Sequence, residues 1–188
     1  MRKSLYKNLA PIFLNRHSPH SFRESPIPEE DLKTILEAAR WSPSCYNEQP
    51  WFYLYASKEK GRQAILSTLL PFNQSWAKKA PILMIVFARK TFHRNQKENR
   101  WCHFDAGSSW MSLALQAKEM GYATRAMGGF DPDLALNIVN LSAKDYDPMA
   151  VIALGKEGTP EDLPSDIREK EAISSRNPLE DMVKTLDS

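Results

Sequence analysis

Glycine is scarce in this chain of 188 residues: seven glycines stand against thirteen prolines. Gly61, Gly107, Gly121, Gly128, Gly129, Gly155 and Gly158 cannot be assembled into a G-x-G-x-x-G or Walker-type loop. A nucleotide-like phosphate, if one is bound, must be held by side chains rather than by a glycine cradle. Cysteine is scarcer still. Cys45 and Cys102 are too few and too far apart for a disulfide scaffold or a closed zinc site, and a reducing cytoplasm is the compartment such usage suits. No apolar run approaches the ~20 residues needed to span a bilayer, and residues 1–15 carry no signal-type cleavage site. Charge of one sign is lacking too: 25 basic residues face 23 acidic ones, for a net +2. That balance gives no global signal for nucleic acid or for a membrane surface. The one basic stretch, Lys90 to Arg100, has only Phe92 among its interior residues, which makes a poor stacking surface for bases.

Side-chain catalysts are missing as well. His93 and His103 have no metal-ligand spacing with carboxylates or with each other. Cys102 beside His103 reads as a chance neighbour, and nothing beside Cys45 in sequence would activate its thiol. No catalytic triad and no metal site can be built.

What is present is enough apolar material, 42% of residues, for one domain with a real core. Leu5, Leu9, Ile12 and Phe13 stand at helical spacing, so a first helix is expected over 5–15, with Pro11 as a possible break. Ile27-Pro28-Glu29-Glu30-Asp31 reads as a helix start, with Leu32, Ile35, Leu36 and Ala39 as its buried stripe and Pro43 as its stop. Further helices are expected over 59–70, 104–120 (with Gly121 as C-cap) and 132–141. Strands are expected over 51–57, 82–88, 123–127 and 149–155, the second being apolar enough for burial on both faces. Helices and strands interleave without a regular βαβ series. The expectation is α+β: a single domain over 1–188 with a mixed or antiparallel sheet under helices. The tail from Lys156 is polar and lacks periodicity, and a partner subunit is one candidate for what it lies on.

Four segments could carry chemistry. Arg16-His17-Ser18 offers a planar fork and a hydroxyl for a phosphate, or is simply a helix end with favourable basic residues. Trp41 to Trp51 holds Ser44, Asn47 and Gln49 between two prolines. Its amides could pair with the pyrimidine edge of a flavin or a base, or the segment could be a helix-to-strand turn. Gly128-Gly129 leaves a strand, either letting a flat ligand approach the backbone or supplying positive φ for a turn; Asp131 and Pro132 then open a helix. Arg176 in the tail is by itself a solvated charge.

Taken in this order, the segments resemble the FMN-dependent nitroreductase family across about residues 5–183. Arg16-His17-Ser18 looks like its N-terminal motif for the FMN phosphate and ribityl chain. Ser42, Pro43, Ser44, Asn47, Gln49, Pro50 and Trp51 match its S-P-S-x-x-N-x-Q-P-W loop, which in the family contacts the isoalloxazine, commonly from the other protomer. Asn73 falls where many members turn an Asn toward the flavin. The segment from Met127 through Gly128 and Gly129 is similar to the one whose backbone reaches flavin N5. Arg176 falls at the tail position of a phosphate-binding Arg or Lys.

The resemblance therefore implies cofactor contacts from Arg16, His17, Ser18, His20, Pro43, Ser44, Cys45, Asn47, Gln49, Asn73, Met127, Gly128, Gly129 and Arg176. It implies a homodimer with FMN at the interface and a C-terminal arm, about 156–188, wrapping the partner. The implied activity is ping-pong hydride transfer from NAD(P)H through flavin N5 to a nitroaromatic, quinone or similar acceptor, with the flavin carrying the chemistry. Two departures stand out. His20 occupies the place of a second basic residue that lies near flavin N1/O2 in many members, and Trp76 stands where some carry Lys. The alternatives are an FMN enzyme of the same family with another outcome, such as dehalogenation or flavin fragmentation, and a flavin-binding protein without turnover.

Overall fold

The computed structural model describes residues 4, 6–169 and 171–186. Four strands form one antiparallel sheet in the order β1-β2-β4-β3: β1 Trp51–Ala56, β2 Ile82–Arg89, β3 Ala123–Met127 and β4 Tyr146–Gly155. The fold class is α+β, as the interleaving without βαβ repeats required. Every residue of β2 from Ile82 to Ala88 is buried, and strand alternation divides them. Leu83, Ile85 and Phe87 face one layer, with Ile65, Leu66, Leu69, Trp76 and Leu136. Ile82, Met84 and Val86 face the other, with Ile35, Ala39, Leu113 and Ala117. Pro148 of β4 pairs with Phe87 where the register slips, beyond the end of β3, so the missing N–H costs no ladder bond to that strand.

The second layer is built by α2 (Glu29–Arg40) and α5 (Cys102–Glu119), the first by α3 (Glu59–Leu66), α4 (Pro71–Ala77) and α6 (Pro132–Asn137). The α2 stripe buries Leu32, Ile35 and Ala39, while Glu29, Glu30 and Asp31 stand in its positive first turn. Helix α5 ends at Glu119, and Gly121 follows at φ +78° as the left-handed cap that an L side chain would resist.

Three expectations need correction. The first helix, α1, runs only over Pro11–Asn15; proline fits a first turn, where its missing N–H is an orphan anyway, and Leu5 lies outside the described residues. The helix expected over 59–70 stops at Leu66, because Leu70 precedes a proline and turns extended at ψ 151°. Pro71 then begins a separate helix, α4, whose apolar content is too short-ranged for periodicity to show. Helix α6 likewise ends at Asn137 rather than 141, the chain turning at Asn140 with φ +54°.

The tail begins on its own chain. Phe22 bridges Glu157, and Leu163 and Ile167, the latter in α7 (Ser165–Arg168), are buried in the first layer. From 172 to 186 every residue is exposed, apolar ones such as Ile173, Met182 and Val183 included.

Candidate functional site: an arginine-lined cavity at the meeting of both chain ends

Arg16 leaves α1 in extended conformation at φ −70°, ψ 124°, which carries the following residues across the sheet toward β3. The tail returns past α7 to the same place. Between them lies a cavity of about 300 Å³ lined by Arg16, His17, Ser18, His20, Arg125, Glu171, Ala172, Ile173, Ser174 and Arg176. Arg16 Nη1 donates to Ser18 Oγ at 3.2 Å. His17 Nε2 meets Glu157 Oε1 at 2.9 Å. Arg176 Nη1 donates to the Ser175 carbonyl at 2.8 Å and to Ser174 Oγ at 3.2 Å. Among the described residues, three guanidiniums and two imidazoles thus face one lining carboxylate, that of Glu171.

His20 is buried. It is 6% exposed, and Glu171 takes its backbone N–H at 2.8 Å and its Nδ1 at 2.5 Å. The imidazole packs edge-on against Trp76, with ring centres 5.0 Å apart, and against Phe72 at 6.3 Å. Trp76 itself is buried, and its indole N–H finds no acceptor among the described residues.

Next along the sheet edge, Asn73 Nδ2 donates to the Gly129 carbonyl at 3.0 Å, and Leu70 N–H donates to the same oxygen at 3.0 Å. Neither Gly128 nor Gly129 takes a positive φ. Glycine is needed at 129 for closeness: a Cβ there would lie 2.9 Å from Asn73 Nδ2. A Cβ at 128 would meet nothing within 4 Å, so this backbone faces open space. Met127 buries its side chain in the first layer and leaves only its backbone to a ligand. Asp131 caps α6 by accepting from Leu134 N–H at 3.0 Å.

The loop from Pro43 to Gln49 does not reach this cavity. Pro43, Ser44, Cys45, Asn47 and Gln49 line none of it; Cys45 N–H instead donates to Asp105 of α5 at 3.1 Å. Tyr46, Asn47 and Gln49 all hold positive φ, between 51° and 56°. Such conformations cost free energy in non-glycine residues and persist where surroundings over-determine them. Here Ser44 Oγ accepts from Gln49 N–H at 2.9 Å, and the Arg94 guanidinium stacks 4.2 Å above the Tyr46 ring.

The sequence reading missed Arg125 and Glu171. A charged residue inside the otherwise apolar strand Ala123-Thr124-Arg125-Ala126-Met127 was the available signal for the first; Glu171 lies in a charged stretch that offers none. Cys102, the buried thiol, is pushed up by burial and then by Asp147, and so stays protonated at neutral pH. Among the described residues no group of three or more His, Cys, Asp or Glu could hold a metal ion, and no helix is long and apolar enough to cross a membrane.

The family model for nitroreductases matches residues 14–71 and 62–156. The chain belongs to the nitroreductase family. Among solved structures, this family member is similar to an oxidoreductase containing FMN, 37% identical with TM-score 0.92 over 97% of this chain and 93% of that one. It shares its fold with a nitroreductase family protein from Streptococcus pneumoniae, 18% identical with TM-score 0.75 over 93% and 98% of the two chains. An NADH dehydrogenase of Thermus thermophilus is 26% identical over 181 residues, covering 78% of this chain and 87% of that protein.

Proposed function

We propose that this nitroreductase-family protein is an FMN-dependent oxidoreductase that uses NAD(P)H to reduce nitroaromatic, quinone or similar acceptors as a cytoplasmic homodimer. The observation that carries it is the cavity joining Arg16 and Ser18 to Arg176. The donor set fits the group: guanidinium forks and a serine hydroxyl bind a phosphate monoester without a glycine cradle. The solved relative containing FMN, with the fold preserved over 97% of this chain, supports the same choice.

In this reading Arg16, Ser18 and Arg176 hold the phosphate, and His17 closes that end through its link to Glu157. The open backbone at Gly128 lets a flat ring lie against the strand exit. Asn73 commits its NH2 to the Gly129 carbonyl, which leaves its amide oxygen to accept a hydrogen bond from the ring. FMN held there by Arg16, Ser18 and Arg176 would supply the hydride-transfer chemistry between NAD(P)H and the acceptor. The protein binds, orients and excludes water.

The loop residues Pro43, Ser44, Cys45, Asn47 and Gln49, which do not line the cavity of their own chain, act on the partner's site as the family resemblance implies. Exposed Trp41, Tyr46 and Phe104 supply apolar surface for that contact, and the exposed tail 172–186 supplies the arm.

The deciding experiment is the visible spectrum of the purified protein, followed by NAD(P)H oxidation under a quinone. A yellow protein that releases FMN on denaturation and oxidises NADH or NADPH is expected. A colourless protein that cannot be loaded with FMN refutes the reading; a loaded protein without turnover reduces it to flavin binding.

A further inference from the structure

The two positions where the resemblance puts basic residues against the flavin are His20 and Trp76, and the fold brings them into ring contact at 5.0 Å. Onto this pair it lays a side chain from a distant strand. Arg125 of β3 has its Cζ 5.5 Å from the Trp76 ring centre, donates through Nη1 to the Ser18 carbonyl, and lines the cavity. Glu171 lines it as well, but its two oxygens are taken by His20. Among the described residues no carboxylate comes within ion-pairing distance, 4.0 Å, of the Arg125 guanidinium. Burial, the larger influence, pulls its pKa below the ordinary arginine value, and Glu171 opposes this. A partly desolvated guanidinium that stays charged and lacks a paired carboxylate is costly on its own and favours an anion in the space beside it.

We propose that Arg125 is a cofactor-binding residue that supplies the positive charge against the flavin ring which positions 20 and 76 do not. The inference rests on the FMN reading above. Hydride uptake adds one negative charge to the ring, so a neighbouring guanidinium favours the reduced cofactor over the oxidised one. His20 serves this end poorly by itself, because a carboxylate already stands 2.5 Å from its ring. Arg16 and Arg176, set among the hydroxyls of Ser18 and Ser174, are the guanidiniums that the reading above gives to the phosphate.

The test is Arg125→Gln on the FMN-loaded protein, with oxidised and reduced FMN affinities, riboflavin affinity and the midpoint potential compared with the parent. Reduced FMN should bind at least tenfold more weakly and oxidised FMN within about twofold. For a two-electron couple tenfold corresponds to 29.6 mV, so the potential should fall by about 30 mV or more. Arg125→Lys should recover most of that loss. An unchanged potential overturns the proposal. So does an affinity loss confined to FMN with riboflavin spared, which would place Arg125 at the phosphate. If Arg125→Gln does not fold, phenylglyoxal labelling of the parent protein decides. Protection of Arg125 by riboflavin and FMN alike supports the ring assignment, and any other pattern overturns it. A parent protein that never binds FMN refutes the proposed function itself, a result distinct from all of these.

Discussion

Gly129 and Asn73 offer the sharpest test of how the site is packed. Replacing Gly129 by Ala meets no backbone strain, because its φ is not positive. Fewer accessible unfolded states should even stabilise the variant by about 0.4–1 kcal/mol. Against this stands one obstacle. The new Cβ would lie 2.9 Å from Asn73 Nδ2, with Leu70 Cδ1 at 3.4 Å, so Asn73 must retreat by roughly half an ångström to reach ordinary contact distance. That retreat breaks its 3.0 Å hydrogen bond to the Gly129 carbonyl, worth about 0.5–1.5 kcal/mol. The carbonyl keeps Leu70 N–H at 3.0 Å, so it is not orphaned and the lower half of that range applies. Adding about 1 kcal/mol for displacing a packed amide, and subtracting the unfolded-state gain, Gly129→Ala should destabilise by about 0.5–1.6 kcal/mol in the parent. In an Asn73→Ala background the obstacle is gone, and the same substitution should become neutral or stabilising by about 0.5 kcal/mol. The double-mutant cycle should therefore show a coupling of about 1.5–2 kcal/mol, the lost bond plus the displaced amide. Urea unfolding at one fixed protein concentration, with m-values checked for equality, gives all four corners. Additivity within about 0.3 kcal/mol would refute the claim that the glycine exists to admit Asn73.

Other expectations follow from the same structure. Arg16→Ala and Arg176→Ala should each weaken FMN by ~1.5–3 kcal/mol, read by flavin retention on dialysis, and lower turnover of the loaded enzyme by less; full retention excludes the phosphate role. Disrupting the dimer should release the flavin; a monomer at micromolar concentration with stoichiometric FMN, seen by light scattering with absorbance, ends that part of the reading. Burial pushes the Tyr53 phenol up to about 12, against an opposing hydrogen bond from Ser109. The unfolded chain gives up that proton first, so stability should be whole below ~10 and be lost as pH rises toward 12, and Tyr53→Phe should flatten this alkaline slope in pH-dependent denaturation. Gly155→Ala would drive a Cβ to 2.6 Å from Pro81 Cδ and 3.2 Å from Phe22 Cδ1, and calorimetry should show a loss of ~1–3 kcal/mol; an unchanged melting temperature contradicts the packing at that strand end.

Patterns spanning a few residues were legible in the sequence. The apolar run from Ile82 to Ala88 marked the central strand, the stripe Leu32, Ile35, Ala39 marked α2, and Gly121 marked the end of α5. Each rests on a period or a cap that needs no distant partner. The break at Leu66 was not legible, because it comes from Pro71 together with contacts to another strand exit: Leu69 bridges Phe130, Leu70 N–H donates to the Gly129 carbonyl, and Asp131 N–H donates to the Thr68 carbonyl. Competition between a local period and such long-range pairing is decided only on folding.

The site divides along the same line. By itself the sequence determined that any phosphate must be held by side chains, since seven scattered glycines form no cradle, and it marked Arg16, Ser18, Asn73, Gly129 and Arg176 through motif order. It also marked His20 and Trp76 as departures. Tertiary structure alone decided what surrounds those departures: Glu171 reaches His20 from 151 residues away, and Arg125 crosses from β3 to lie over Trp76 and beneath Ser18. It also decided that the loop from Pro43 to Gln49 lies off the cavity of its own chain. The physical reason is range. A helical stripe, a cap or a missing glycine loop acts over a few bonds. The surroundings of such a charge are set by whichever elements the sheet order brings together: β4 holds β3 at the edge of the sheet, where Arg125 meets the tail and α4.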